Sequence, residues 1–424
     1  MPEMNELLHQ AKHAFCNNDI TALRDLLERH PVLQERINEP LFAFDSPAIG
    51  WVRSREMLDL LLAAGADINA KSQWWAGGFG LLHDASPELA AYAIQRGAQV
   101  DIHAAARLGL FDKLKDLVAA SPDLVHARGG DGQTPLHFAS TIEIAEYLLD
   151  QGADIDSLDI DHESTPAQYR VGDRQEVARY LVSRGCKTDL LMAAALGDGE
   201  RASQHLDTDP ACIRMSVSER YFPKRNPRAG GTIYIWTLGQ NKTAHHVART
   251  FGHEQVVELL LDRSPAELKL ALACEWGDEA LIRTLLARHP DLVAALAEED
   301  ERRLADAAQA NDIEAVRRML SAGWPVAPQG QHGGTPLHWA AFHGNLDMTE
   351  LILRHDPPLE LADVDYHATP LGWAIHGSEQ GWHRLTGNYP GTVEALLRAE
   401  AKPPETIKGT AAVQEILRRY RPEN

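Results

Sequence analysis

Thr134-Pro135-Leu136-His137-Phe138-Ala139 returns as Thr335-Pro336-Leu337-His338-Trp339-Ala340, and looser copies stand at Thr165-Pro166-Ala167, Thr243-Ala244-His245-His246 and Thr369-Pro370-Leu371. A hexapeptide written twice in one chain, with degenerate copies between and after, marks one supersecondary unit used repeatedly. A second signature follows the copies at Ile144–Asp154, Val177–Gly185 and Val256–Leu261, and Met57–Asp67 has the same form. Its apolar residues recur at helical spacing, and a glycine ends the run where a left-handed residue is needed. The unit is turn, short helix, longer helix, glycine stop and loop. Thr134 to Thr165 is 31 residues and Thr335 to Thr369 is 34, the period of a helical repeat array.

In these motifs the chain resembles the ankyrin-repeat family over nearly all of its length. The resemblance implies an all-α ankyrin-repeat solenoid of about twelve helix-turn-helix units, with short β-hairpin fingers and two inserted loops. It implies that the motif Thr and Pro start the first helix, where a missing N–H costs nothing. It also implies that His137, His246 and His338 hydrogen-bond backbone and are structural. Asp101–Gly109, Leu190–Gly197 and Leu270–Gly277 keep an alanine-rich first helix without Thr-Pro, and Leu82-His83-Asp84-Ala85 is a relic of the motif. The expected organisation is N-terminal repeats over 1–212, an inserted basic and aromatic hairpin at 213–241, and C-terminal repeats over 242–402 with an insertion at 374–392. A capping helix closes the chain at 403–424.

The formal net charge of −20 argues against nucleic acid, whose phosphates need a basic face, and against anionic membrane surfaces. No apolar run reaches transmembrane length, and the N-terminus has no signal-peptide pattern. Cys16, Cys186, Cys212 and Cys274 form no CxxC pair, which suits a reducing compartment. A cytoplasmic protein is expected.

Function is sought where the repetition breaks. Residues 213–241 carry Arg214, Arg220, Lys224, Arg225 and Arg228 against one acid, Glu219. Thr232–Thr237 alternates β-branched and aromatic residues, which predicts a strand or hairpin. The segment reads either as an anion-binding finger or as a hairpin whose charges pair with the acidic scaffold. Residues 374–392 set Trp382, His383 and Tyr389 among glycines, which suits either a pocket wall or a cover for the end of the stack. Residues 71–85 place Trp74-Trp75 before Gly77-Gly78, at a finger tip where ankyrin proteins present contact residues, with Trp51 nearby; packing beneath a hairpin is the alternative. The other finger tips are Asp131–Gln133, Asp161–Glu163, Gln331–Gly333 and Asp365–His367.

The expected function is recognition of a protein segment on the concave surface. Trp51, Trp74, Trp75, Tyr234, Trp236, His343, His376, Trp382, His383 and Tyr389 are the candidate contacts, with Arg220 and Arg225 selecting a negative group on the partner or a small anionic ligand. The alternative is small-molecule binding or acid–base catalysis (a hydrolase or lyase) in a pocket between 213–241 and 374–392. Twenty histidines exceed what repeat capping needs, yet none has a metal-ligand spacing. No catalytic residue, metal or cofactor is assigned.

Overall fold

In the computed structural model, which describes residues 2–420, the chain is an all-α helical-repeat solenoid built of short helices. Met1 and residues 421–424, the last of the expected capping segment, lie outside the described residues. The described extended pairing consists of two isolated bridges, Phe42–Ser46 and Ser216–Thr243. The finger loops are single turns closed by backbone bonds, such as Gly129 N–H to Gln133 O at 2.9 Å and Gly330 N–H to Gly334 O at 2.9 Å. Two compact units meet in the sequence at Leu260 and Leu261. That boundary falls beyond the 213–241 insertion, which belongs wholly to the first unit.

Each repeat forms for local reasons. Leu190–Leu196 is buried on every face, and Ala193, Ala194 and Ala195 let neighbouring helices approach closely. Gly197, at φ 66°, stops it in the left-handed region, open to glycine without a Cβ penalty. Asp198 then caps the next helix, Gly199–Thr208, by accepting from Arg201 N–H at 3.0 Å. The same step recurs in the second unit, where Asp278 caps Glu279–Arg288, Asp312 caps Ile313–Ala322 and Asn345 caps Leu346–Leu353. Each such cap is worth about 1 kcal/mol.

The repeated hexapeptide joins one repeat to the next. Thr134 N–H donates to His137 Nδ1 at 3.1 Å, and His137 Nε2–H donates to Ser164 O of the following repeat at 3.1 Å. His338 does the same between Thr335 N–H and Ala368 O, at 3.1 Å each. His246 Nδ1 lies 2.9 Å from the Thr243 hydroxyl. These histidines are structural, as the resemblance implied. In the repeat at Thr165 a glutamine takes the position, and Gln168 Oε1 accepts from Thr165 N–H at 2.8 Å.

Two expected segments differ in form. Thr232–Thr237 makes no strand: Ile235–Gly239 is a single π-helical turn. The alternation is overridden because Tyr234 turns fully inward and its hydroxyl donates to Asp189 at 3.0 Å. The base of the insertion is closed instead by Val217 N–H to Lys242 O (3.0 Å) and Asn241 N–H to Val217 O (2.9 Å). At 374–392 the first helix continues through Gln380, the turn is confined to 381–388, and the second helix starts at Tyr389.

The buried histidines set an acid limit. Burial pushes His137 down to about 3 and His103 down to about 4. Folded-state values below the unfolded 6.5 mean that the unfolded chain binds protons which the native chain refuses. This stability is complete above pH 6.5 and is lost as pH falls toward 4. The Tm is expected to hold between pH 8 and 7 and to fall below about pH 6.5. His137→Gln, which copies Gln168, should remove a few kcal/mol of that dependence. A Tm in the wild type that is level down to pH 4.5 would contradict this.

Candidate functional site

Within the first unit, loops from five parts of the sequence line a half-open cavity of about 590 Å³. Its apolar wall is Phe44, Trp51, Trp74, Phe79, Ile233 and Trp236. The rings pack on one another: Phe44 stacks on Trp51 at 6.1 Å and meets Trp74 edge-on at 5.1 Å, with Phe79 at 6.2 Å. Phe44 stands at φ 58° and Asp45 at φ 49°. A bulky residue in the left-handed region carries backbone strain of roughly 1–2 kcal/mol, and such strain gathers where a side chain must be presented. Ser72 and Phe79 close the finger that carries Trp74, through Ser72 N–H to Phe79 O at 2.8 Å and Phe79 N–H to Ser72 Oγ at 3.0 Å.

The insertion forms another side. Its run 225–233 is laid along the finger at 161–164. Gly230 N–H donates to Asp161 O (2.8 Å), Arg225 N–H and Asn226 N–H to the Glu163 carboxylate (2.8 and 2.9 Å), and Ile233 N–H to Ser164 Oγ (3.0 Å). His162 Nδ1 lies 2.9 Å from Gly231 O. A carbonyl only accepts, so Nδ1 carries the proton, and in the neutral ring Nε2 is a lone-pair atom. That atom faces Asp131 Oδ2 at 3.7 Å and Asp161 Oδ2 at 3.8 Å.

The polar side of the cavity is therefore Asp131, Asp161 and His162, with Asp84, His83 and Arg228. Arg228 rests over the Trp75 ring, 4.5 Å from its centroid. Burial raises the Asp131 carboxyl to about 7, with Asp161 and Asp159 adding to the rise and His162 opposing it. The Trp74 indole N–H approaches the Asp131 carboxyl and also opposes the rise, although neither it nor Asp131 Oδ1 reaches full hydrogen-bond geometry.

Among the described residues, two trios could hold a metal, each with one ligand atom per residue within 4.8 Å: His83, Asp101 and His103, and Asp131, Asp161 and His162. The first is committed to the fold. His83 Nδ1 accepts from Gly80 N–H and its Nε2 bonds Asp101; His103 Nε2 donates to Ala127 O; and Lys71 pairs with Asp101 at 2.8 Å. Opposed to burial, these bonds hold the Asp101 carboxyl well below the usual carboxylate range. The second trio lines the cavity. No ligand spacing in the sequence pointed to it, because the fold assembles it from two finger tips.

Trp51, Trp74 and Trp236 are brought together on the cavity, and Trp75 flanks it beneath Arg228, edge-on to Trp74 at 6.2 Å. Tyr234 is in the core and does not line it. Arg220 and Arg225 are exposed and stand off its lining. Arg220 has partners of its own, while Lys224 pairs with Glu219 at 2.9 Å. Asp84 is paired with Arg53 at 2.8 Å, and Asp131 and Asp161 stand against one guanidinium in the lining, which does not favour an anion.

The remaining candidates form a separate cluster in the second unit. Trp382 is 65% exposed, stacks on Trp339 at 6.1 Å and meets Phe342 edge-on at 5.3 Å. His376 stacks on Phe342 at 6.4 Å, and His383 lies 5.1 Å from His343. His343 and Tyr389 are buried and structural: His343 Nε2–H donates to Gln309 O at 2.9 Å, and the Tyr389 hydroxyl donates to Phe342 O at 2.9 Å. The two insertions are thus partnered within different units. The cavity is built from 213–241 and the N-terminal fingers, all in the first unit.

Gly130, next to Asp131, admits the Phe79 ring where a Cβ would stand. Gly130→Ala is expected to displace Phe79 and to destabilise the first unit by roughly 1–3 kcal/mol, read as a lower Tm. An unchanged Tm would mean that the Phe79 wall is loosely held.

The profile of the family described as "Ankyrin repeats (3 copies)" matches residues 102–192 and 304–405. Transient receptor potential cation channel subfamily A member 1 of Homo sapiens is 24% identical over 293 residues, which cover 67% of this chain and 22% of that protein. E3 ubiquitin-protein ligase KEG of Arabidopsis thaliana is 24% identical over 290 residues, covering 57% of this chain and 18% of that protein. The chain spans about a fifth of the length of these relatives. Ankyrin repeats are in general protein-interaction modules, and no described helix is long and apolar enough to cross a membrane. The repeated Thr-Pro-Leu-His caps, the paired helices and the matched profile together identify ankyrin repeats in this chain.

Proposed function

We propose that this protein is a recognition scaffold that seats a protein segment on its finger loops, with the aromatic-walled cavity of the first unit receiving an anchoring side chain. The cavity is the observation that carries this reading: about 590 Å³ lined by Phe44, Trp51, Trp74, Phe79 and Trp236. That volume suits a side chain with part of its flanking backbone. Tryptophan in a desolvated pocket is a typical carrier of interface energy. Trp236 stands 73% exposed beside it, placed to cover a bound segment.

The second unit offers an anchor of its own. Trp382 (65% exposed), Leu385 (87%) and Tyr366 (65%) present apolar surface, with Trp382 against Phe342 and Tyr366 near Trp373. Exposed apolar patches of this kind mark interaction sites. We place the protein in the cytoplasm, in keeping with four unpaired cysteines and the reducing compartment that they suit.

A small-molecule site with acid–base chemistry is a second reading, favoured by one observation. Asp131 is held near neutrality beside His162 in that cavity, the condition of a general acid or base. Peptide-display selection separates the two readings. The wild type should enrich a motif, Trp74→Ala should weaken the enriched peptide about 30-fold or more, and Trp382→Ala should weaken it less. Equal affinity for wild type and Trp74→Ala would contradict the cavity as anchor. A selection that enriches nothing, beside a small-molecule screen whose hits Trp74→Ala releases, would favour the second reading.

A further inference from the structure

Resting on the anchor reading above, we infer that the cavity selects a primary ammonium group, the head of a lysine side chain in the partner segment. Three acceptors converge at its polar side: Asp131 Oδ2, Asp161 Oδ2 and the His162 Nε2 lone pair, all within 4.8 Å of one another. Gly231 O holds a proton on His162 Nδ1, so in the neutral imidazole Nε2 is the accepting atom. A primary ammonium carries three donors and no acceptor. Donors radiating from one nitrogen at about 2.8 Å reach acceptors spaced as His162 Nε2 is from the two carboxylates, 3.7 and 3.8 Å. The match in number is complete: three donors meet three acceptors.

The walls fit the rest of the side chain. A lysine stem is four methylenes long and lies readily along apolar surface while its head seeks polar partners. Phe44, Trp51, Trp74 and Phe79 supply that surface, and tryptophan faces near a cation add attraction. The charge sign agrees. Asp131 and Asp161 line the cavity, Asp84 beside them is paired with Arg53 at 2.8 Å, and the guanidinium in the lining, Arg228, is engaged over Trp75. A bare metal ion would use the same trio but has no need of five aromatic neighbours. A quaternary ammonium would suit the rings but has no N–H for the three acceptors. A guanidinium is planar and pairs best with one carboxylate in a fork, whereas these acceptors belong to three separate residues.

The test is a set of titrations of the full chain with N-acetyl-lysine amide, its norleucine analogue and its trimethyl-lysine analogue, followed by tryptophan fluorescence and saturation-transfer NMR. Mn²⁺ and Zn²⁺ form a parallel arm. The lysine probe is expected to bind roughly ten- to a hundred-fold more tightly than norleucine, the range of charge-assisted hydrogen bonds, and more tightly than trimethyl-lysine. Asp161→Asn and Asp131→Asn should each bring lysine close to norleucine. Asn keeps the side-chain shape, and at Asp131 it tolerates the φ of 54°. Circular dichroism and the Tm check that both variants remain folded, and His162→Gln serves as a third if one does not.

Lysine and norleucine binding alike, both weakened by Trp74→Ala, would overturn the ammonium inference and leave the anchor reading standing. Trimethyl-lysine binding most tightly would overturn it in favour of ring–cation attraction alone. Saturation of the trio by Mn²⁺ or Zn²⁺ with no response to lysine would overturn it in favour of a metal centre. No response to any probe would also overturn it, and the display selection would then judge the anchor reading separately.

Discussion

The site depends on one set of contacts, the backbone of 225–233 hydrogen-bonded along the finger at 161–164. Gly230 to Asp161, Arg225 and Asn226 to Glu163, Ile233 to Ser164, and His162 to Gly231 bind an insertion to a repeat about 65 residues earlier in the chain. Such contacts fix loop backbone that would otherwise be solvated. They also bring Trp236 and Arg228 beside the rings of the N-terminal fingers. The His162 tautomer, the spacing of the acceptors and the closure of the cavity all follow from this docking.

Beneath it lies the regular scaffold. His137 Nε2 ties its repeat to Ser164 O, and the Ser164 hydroxyl in turn receives Ile233 N–H. One residue therefore takes part in the inter-repeat bond and in the seat of the insertion. A repeat array is stabilised mainly by nearest-neighbour interfaces, so an insertion held by one repeat's finger adds a site with little disturbance of the stack. The left-handed backbone at Phe44 and the approach of the Trp74 N–H to the Asp131 carboxyl are local features of the cavity lining.

The scaffold was legible in the sequence because its determinants are local. The Thr-Pro-Leu-His cap, the alanine-rich helix and the glycine stop each act within a few residues. The site was legible only in part. Trp51, Trp74, Trp75 and Trp236 stood out as tryptophans in loops, but Phe44, Phe79, Asp131, Asp161, His162 and Arg228 come together through tertiary docking that no spacing encodes. The alternation at 232–237 pointed to a strand because propensity does not register the pull of the Asp189 carboxylate on the Tyr234 hydroxyl. His343 and Tyr389 looked like pocket residues by composition. Their backbone partners, Gln309 O and Phe342 O, remove them from the surface.

Amide hydrogen exchange at Gly230 and Ile233 tests the central claim most directly. If the insertion is seated on the finger, both amides are protected in the wild type, well beyond the exposed neighbour at 224. In Ser164→Ala, which removes the acceptor of Ile233 N–H, both should lose protection together while the amides of Leu190–Leu196 keep theirs. Exchange of Gly230 and Ile233 at the rate of an open loop in the wild type would contradict the account, since neither the cavity nor its acceptor trio would then be held in place.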